Sequence, residues 1–314
     1  MKNKDRSDPA SNGAAGGVVT LERTEEPAAA TGGAAWAPQH AAASPGNAIA
    51  PKRRSKALLG LSSTGLALAG AAGVLALWVL VAGLRPDLPG PAAVFTELRM
   101  LLSNPFHDGG PNDKGIFLQL SLSLGKVFVG FAVAAVIGIP LGFALGAISS
   151  LRGAVNPVIQ VLRPVSPLAW FPIALVVFKD GVKASIFTIG ITALWPILIN
   201  TAVGAAGIPR DHRNVARIFK FSKWKYLRHI LVPYSMTSVL TGMRLSMGIA
   251  WMVIVATEML SGGSGVGFFV WDSYNNNNLA AVFSAIALIG VMGFALDYGF
   301  CRLAARFDYS RTIG

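Results

Sequence analysis

Apolar residues in this chain come in long runs, with polar residues gathered between them. Six runs stand out, at 57–84, 120–148, 155–178, 184–206, 234–260 and 279–300. Each reaches the roughly 20 residues that carry a helix across the hydrocarbon core of a bilayer. Backbone groups in lipid must find partners within their own segment, so each run is predicted to be helical. The third contains Pro157, Pro164, Pro167 and Pro172. An internal proline removes a helix hydrogen bond, so this span is expected to be bent or partly unwound. Such a break is tolerated only where protein or a water-filled path covers it. Pro196 predicts a second break, in the fourth span. A short surface helix is expected at 91–102, followed by a Gly/Asn/Pro-rich loop.

The second span carries Gly130, Ala134, Gly138, Gly142 and Gly146, spaced four apart. On a helix they share one face and admit a neighbouring backbone. Two uses fit this face: packing within the subunit, and packing beside a translocation path. Gly65, Ala69 and Gly73 echo it in the first span.

Composition agrees with a membrane protein. The chain has 314 residues, 53% hydrophobic and 13% charged, with a mean hydropathy of +0.54. Soluble domains average about 25% charged residues. A soluble protein with a large core is excluded by the length of the apolar runs. Residues 1–50 are rich in Ala, Gly, Pro, Ser and Thr and are predicted to be disordered. They lack the layout of a signal peptide. One cysteine, Cys301, leaves no internal disulfide or CxxC site, and the four histidines show no HxxxH spacing. No metal site is expected.

The net charge of +12 is not spread evenly. Between spans four and five, 208–233 reads IPRDHRNVARIFKFSKWKYLRHILVP, with seven Lys/Arg against one acid, Asp211. With the N-terminus inside, 15 Lys/Arg near the spans fall on the cytoplasmic side and 5 on the outer side. The bias places both termini and this loop in the cytoplasm. It also explains the positive charge without nucleic acid. Val215, Ile218 and Phe219 follow i, i+3, i+4 spacing, a short amphipathic helix with an apolar ridge. A helix resting on anionic headgroups fits this pattern, and so does a knob inserted into a partner.

Charged residues inside spans mark functional or structural sites. Arg163 lies early in the third span, Lys126 near the outer end of the second and Glu258 near the outer end of the fifth. Arg244 lies about 16 Å into the fifth, at 1.5 Å per residue from Pro233. Lys126 is expected to snorkel to the interface. Arg163, Asn200, Arg244 and Glu258 are candidates for a translocation path. Arg163 and Arg244 would equally serve as structural links, with Arg244 and Glu258 too far apart to pair on one helix. Trp170 and Trp195 are weaker candidates. Residues 271–278 offer an outer polar segment.

The basic loop resembles the cytoplasmic signature of ABC-transporter permeases of binding-protein-dependent importers. That signature has Glu-Ala-Ala, a Gly four residues later, then Ile-x-Leu-Pro. Asn214, Val215 and Ala216 take the first places, Lys220 stands at the Gly, and Ile230, Val232 and Pro233 keep the final spacing. LRPVSPLAWFPIALVVFKD (162–180), ALWPILINTAVG (193–204), TGMRLSMGIAWMVIVATEML (241–260) and GVGFFVWDSYNN (265–276) are similar to the nitrate/sulfonate/bicarbonate branch, most of all to nitrate permeases.

The resemblance implies an all-α integral membrane protein of the type I importer permease (MetI-like) fold, with six transmembrane helices and a cytoplasmic coupling helix. The first span and its outer connection would occupy 51–115, the permease core 116–302 and a cytoplasmic tail 303–314. It implies a bacterial inner-membrane complex in which two permease subunits, as a homodimer, form an alternating pathway. Two cytoplasmic ATPases grip the coupling helices, and a periplasmic or lipid-anchored binding protein delivers an anion. Nitrate is the expected anion; nitrite and cyanate, bicarbonate or alkanesulfonates such as taurine are the alternatives. Residues 213–220 (Arg213, Asn214, Val215, Ala216, Arg217, Ile218, Phe219 and Lys220) would dock the ATPase, with Val215, Ala216, Ile218 and Phe219 as the ridge and Arg213 and Arg217 paired to its acids. The chain carries no GxxxxGK[ST] phosphate loop, so ATP and Mg would belong to the partner and no catalytic residue is expected here. An ATP-independent anion transporter or channel would share the spans but leave a docking loop unexplained. A membrane-anchored scaffold or receptor would need a soluble domain that only the first 50 residues could supply.

Overall fold

The computed structural model describes residues 63–110 and 113–306. The predicted disorder of 1–50 and most of the 303–314 tail lie outside these residues. Helix α1 (Ser63–Leu84) is followed by α2 (Pro91–Ser103), the expected short helix, which starts with Pro91 in its first turn. A loop closed by the Asp108–Lys114 ion pair (2.7 Å) leads to α3 (Ile116–Ala147). Hydrogen bonding to Lys114 holds the Asp108 carboxyl below its ordinary range. Then come α4 (Ser149–Leu162), α5 (Pro167–Phe178) and α6 (Gly181–Ala206). The basic loop contains α7 (Arg210–Ile218) and α8 (Lys223–Tyr226), and a π-helical turn at Leu227–Leu231 leads into α9 (Val232–Ser261). Helices α10 (Val266–Asn275) and α11 (Leu279–Arg306) complete the described residues.

Among the described residues, five helical segments are long and apolar enough to cross a membrane, and the bent pair α4–α5 taken as one span makes a sixth. Neither member spans alone, because 14 and 12 residues reach only about 21 and 18 Å against a core of about 30 Å. They meet at 95°. The bend falls at Arg163–Ser166, between Leu162 and the Pro167 that opens α5. The proline-rich span is therefore bent as expected. Pro196 behaves differently: α6 runs through it unbroken, correcting the predicted break. A neighbouring helix supports that stretch. Ser246 of α9 donates to the Ala193 carbonyl (2.6 Å), and Gly242 of α9 packs against the Pro196 carbonyl.

The core is the triplet α3, α6 and α9. Leu120, Val127 and Phe131 pack with Ile189, Ala193 and Ile197, and with Met247, Trp251 and Ile254. The small face of α3 lies directly on α6. A Cβ added at Gly142 would come within 2.6 Å of Thr201, and one at Gly130 within 2.7 Å of Ile189. Gly138 and Gly146 meet Ile197 and Ala205 in the same way. The stripe therefore serves packing within the subunit. Gly73 of α1 has no such neighbour. Helix α1 has no buried residue in its apolar window; Trp78 attaches it by stacking on Phe283 of α11, with centroids 5.8 Å apart.

Gly142→Val is expected to destabilise the subunit by about 1–3 kcal/mol, the usual cost of overpacking. Gly125→Val, on the same helix with nothing near its Cβ position, is expected to have little effect. Unfolding of the two detergent-solubilised variants with a graded denaturing detergent checks this.

Candidate functional site

The basic loop is built to hold a rigid shape. Helix α7 is capped by Phe219, with Lys220 next in the left-handed conformation (φ 46°). The Phe221 N–H bonds the Ala216 carbonyl (2.9 Å), and the Lys220 N–H bonds the Arg217 carbonyl (3.1 Å). These two bonds form a Schellman motif, whose left-handed residue is usually glycine. The departure at the signature's Gly thus has a physical meaning: Lys220 adopts the conformation that glycine takes without strain. Ser222 then caps α8, accepting from the Lys225 N–H (3.3 Å). Lys225 sits over the Phe221 ring, 4.5 Å from its centroid.

The ridge differs from its expected composition. Ile218 and Phe219 are 75% and 69% exposed, with Val215 and Trp224 also exposed. Ala216 is only 8% exposed, because it forms the inner wall under the Schellman turn. Arg213 stays exposed but folds back onto its own chain. Its guanidinium donates to the carbonyls of Ile208 (2.7 and 3.1 Å) and Ala206 (3.0 Å), stapling α7 to the end of α6. It satisfies helix-end carbonyls of its own chain. Arg213, Arg217, Lys220 and Lys223 line an open groove of about 440 Å³ with Ala216, Phe221 and Tyr226. Asn214 is exposed beside them.

The pathway candidates separate into three places. Arg163, Trp170 and Trp195 come together around a cavity of about 290 Å³, with Thr192, Pro196 and Ile249. The unwound Arg163–Ser166 junction forms one wall, so the broken backbone does line a cavity. Asn200 lies outside that lining and donates to the Pro196 carbonyl (2.8 Å). Arg244 forms a two-pronged ion pair with Asp297 of α11 (2.6 and 2.8 Å). Asp297 is an intramembrane acid that the sequence reading passed over, although an acid within an apolar run is the signal that identified Glu258.

Glu258 occupies the third place, fully buried between α3, α9 and the start of α10. Lys126 Nζ donates to its carboxylate (2.8 Å) and to the Ser264 carbonyl (2.6 Å). Ser123 Oγ and the Gly267 N–H also donate to it, at 2.8 and 3.0 Å. Glu258 is thus sealed inside the subunit, away from the Arg163 cavity. Lys126 does not snorkel, because a buried opposite charge lies within reach. Opposite charges at the outer ends of two spans were the sequence signal for this pair. Ser123 and Gln119, which complete the cluster, had none.

Together these features define a multi-pass helical membrane protein with a structured basic loop and a broken, cavity-lining span. The chain belongs to the family described as "Binding-protein-dependent transport system inner membrane component", which it matches over residues 116–309. It is an ABC-transporter permease subunit. It is 44% identical over 225 residues to the nitrate import permease protein NrtB of Synechocystis sp., covering 71% of this chain and 82% of that one. It is 45% identical over 236 residues to the bicarbonate transport system permease protein CmpB of Synechococcus elongatus (74% and 85%). The taurine transport system permease protein TauC of Escherichia coli is 28% identical over 237 residues (74% and 85%). An inward-facing structure of the MetNI methionine ABC transporter shares the fold, with a TM-score of 0.54 at 16% identity, over 61% of this chain and 95% of that one.

Lys220→Gly is expected to stabilise the loop by up to about 1 kcal/mol by relieving its left-handed strain, whereas Lys220→Ala keeps the strain. Chymotrypsin cleavage around Phe219–Trp224 should be slower in the glycine variant than in the alanine variant.

Proposed function

We propose that this chain is the membrane subunit of an ATP-driven importer that moves a small planar oxyanion, nitrate by preference, from the periplasm to the cytoplasm of a bacterial cell. The observation that carries this reading is the exposed Ile218–Phe219 ridge beside a groove lined by four cations. Such a surface suits an apolar pocket rimmed by acids on a separate ATPase, which would bind the nucleotide. The positive-inside bias supports a cytoplasmic position for that ATPase, both termini and the loop.

A second copy of this chain completes the pathway. Arg244 and Asp297 lie within membrane-crossing helices, yet their side chains are 46% and 49% exposed. Charge in contact with lipid tails is costly, so protein or water covers this face in the working complex. The Arg163 cavity supports an anionic cargo. A guanidinium fork matches flat oxyanions, and Trp170 and Trp195 supply walls. Nitrate and bicarbonate share the flat monoanionic form. The near-equal identity to permeases named for each makes bicarbonate the second reading. The lower identity to the taurine permease speaks against alkanesulfonates.

Ile218→Asp and Phe219→Asp are expected to leave the subunit in the membrane but to weaken co-purification of the ATPase at least about 30-fold, as for interface hot spots of 2 kcal/mol or more. Retention of the ATPase by both variants would remove the docking assignment. Arg163→Gln should reduce uptake of labelled nitrate at equal membrane level. Uptake of labelled nitrate, bicarbonate and taurine in a strain lacking the chain identifies the cargo.

A further inference from the structure

We infer that the buried Lys126–Glu258 cluster is a positioning centre that joins the outer helix α10 to the basic loop through α9, so that events at the outer face alter ATP hydrolysis inside. The inference rests on the importer reading above.

Helix α10 begins inside the protein. A helix start leaves its first N–H groups without partners, and here three consecutive ones go to side chains of two other helices. The Gly265 N–H bonds Gln119 Oε1 of α3 (2.5 Å), the Val266 N–H bonds Ser123 Oγ of α3 (2.9 Å), and the Gly267 N–H bonds the Glu258 carboxylate of α9. Lys126 holds both that carboxylate and the Ser264 carbonyl just before the helix. The approach leaves no slack. A Cβ at Gly265 would strike the Glu258 carboxylate, and one at Gly267 would strike the Val255 carbonyl. Gly262, Gly263 and Gly265 all take positive φ (68°, 92° and 129°), a route that side-chain-bearing residues rarely follow.

The two ends of this assembly differ. On α10, Trp271 and Tyr274 are exposed and stacked, with centroids 6.0 Å apart. Glu258 sits near the end of a continuous helical stretch, Lys223–Ser261, of 39 residues. From Trp224 to Glu258 that is about 51 Å of helix, well beyond the roughly 30 Å hydrocarbon core. The only departure from α-helix is the π turn at Leu227–Leu231, next to α8. The same helix therefore begins in the basic loop and ends in the α10 socket. A partner that shifts α10 moves Glu258, and with it the rod that carries the loop. A buried, fully bonded ion pair suits this task because its worth lies in fixed geometry more than in net stability.

The test uses the full complex in nanodiscs, with its ATPase and its binding protein loaded with nitrate or with bicarbonate. ATP hydrolysis is measured with and without that binding protein. In Lys126→Met and Gly265→Ala, basal hydrolysis is expected to stay within twofold of wild type. The stimulated-to-basal ratio should fall at least about fivefold, the lower end of coupling between sites. Lys126→Arg should restore it. The double variant Lys126→Met/Glu258→Gln leaves no unpaired buried charge, so it guards against misfolding and should show the same loss. An unchanged ratio in the double variant, or a proportional fall of both rates, overturns the positioning role. A wild-type complex that binds no ATPase, or that hydrolyses ATP without stimulation, overturns the importer reading first and the inference with it.

Discussion

Helices in a bilayer gain little by hiding apolar surface from one another, since lipid tails are as apolar as leucine. Close backbone approach must supply much of the attraction. In this protein that approach is made by α3 and α6, where Gly130, Gly138, Gly142 and Gly146 sit against Ile189, Ile197, Thr201 and Ala205. Helix α9 uses the same device on the other side of α6, placing Gly242 on Pro196. Everything that bears on transport hangs from this triplet. The basic loop joins α6 to α9, the Arg163 cavity opens beside α6, and the α10 socket closes between α3 and α9.

Charge is the second organising factor. Outside the membrane, seven Lys/Arg against one acid make the 208–233 loop strongly cationic, and the chain folds it around its own carbonyls through Arg213. Within the spans, charges are handled in three ways. Glu258 and Lys126 neutralise each other in a sealed cluster. Arg244 and Asp297 also pair, but on a surface that lipid would not tolerate bare. Arg163 has no acidic partner among the described residues and faces a cavity at the broken α4–α5 span. This gradation, from sealed pair to open cation, separates architecture from candidate cargo chemistry more clearly than the presence of charge alone.

Much of the fold was legible in the sequence because its signals are local. Run length predicted the spans, proline clustering predicted the bend between α4 and α5, and four-residue spacing predicted the small face of α3. The differences came where contacts beyond a segment's own spacing decided the outcome. Pro196 does not break α6, which packs there against Gly242 of α9. Ala216 fits the apolar spacing of α7 but closes the Schellman turn, leaving Val215, Ile218 and Phe219 as the exposed ridge. Lys126 has the length to reach the interface, yet Glu258 lies nearer.

The sequence by itself determined that the chain is a helical membrane protein, which loop is basic, and which positions are small, bent or charged. Each of these depends on composition and spacing along one segment. Tertiary structure alone decided which charges meet: Arg244 with Asp297 across 53 residues, and Lys126 with Glu258 across 132. Such partners are set by the register in which α3, α6, α9 and α11 pack. That register follows from the summed fit of many small contacts, which no single segment encodes.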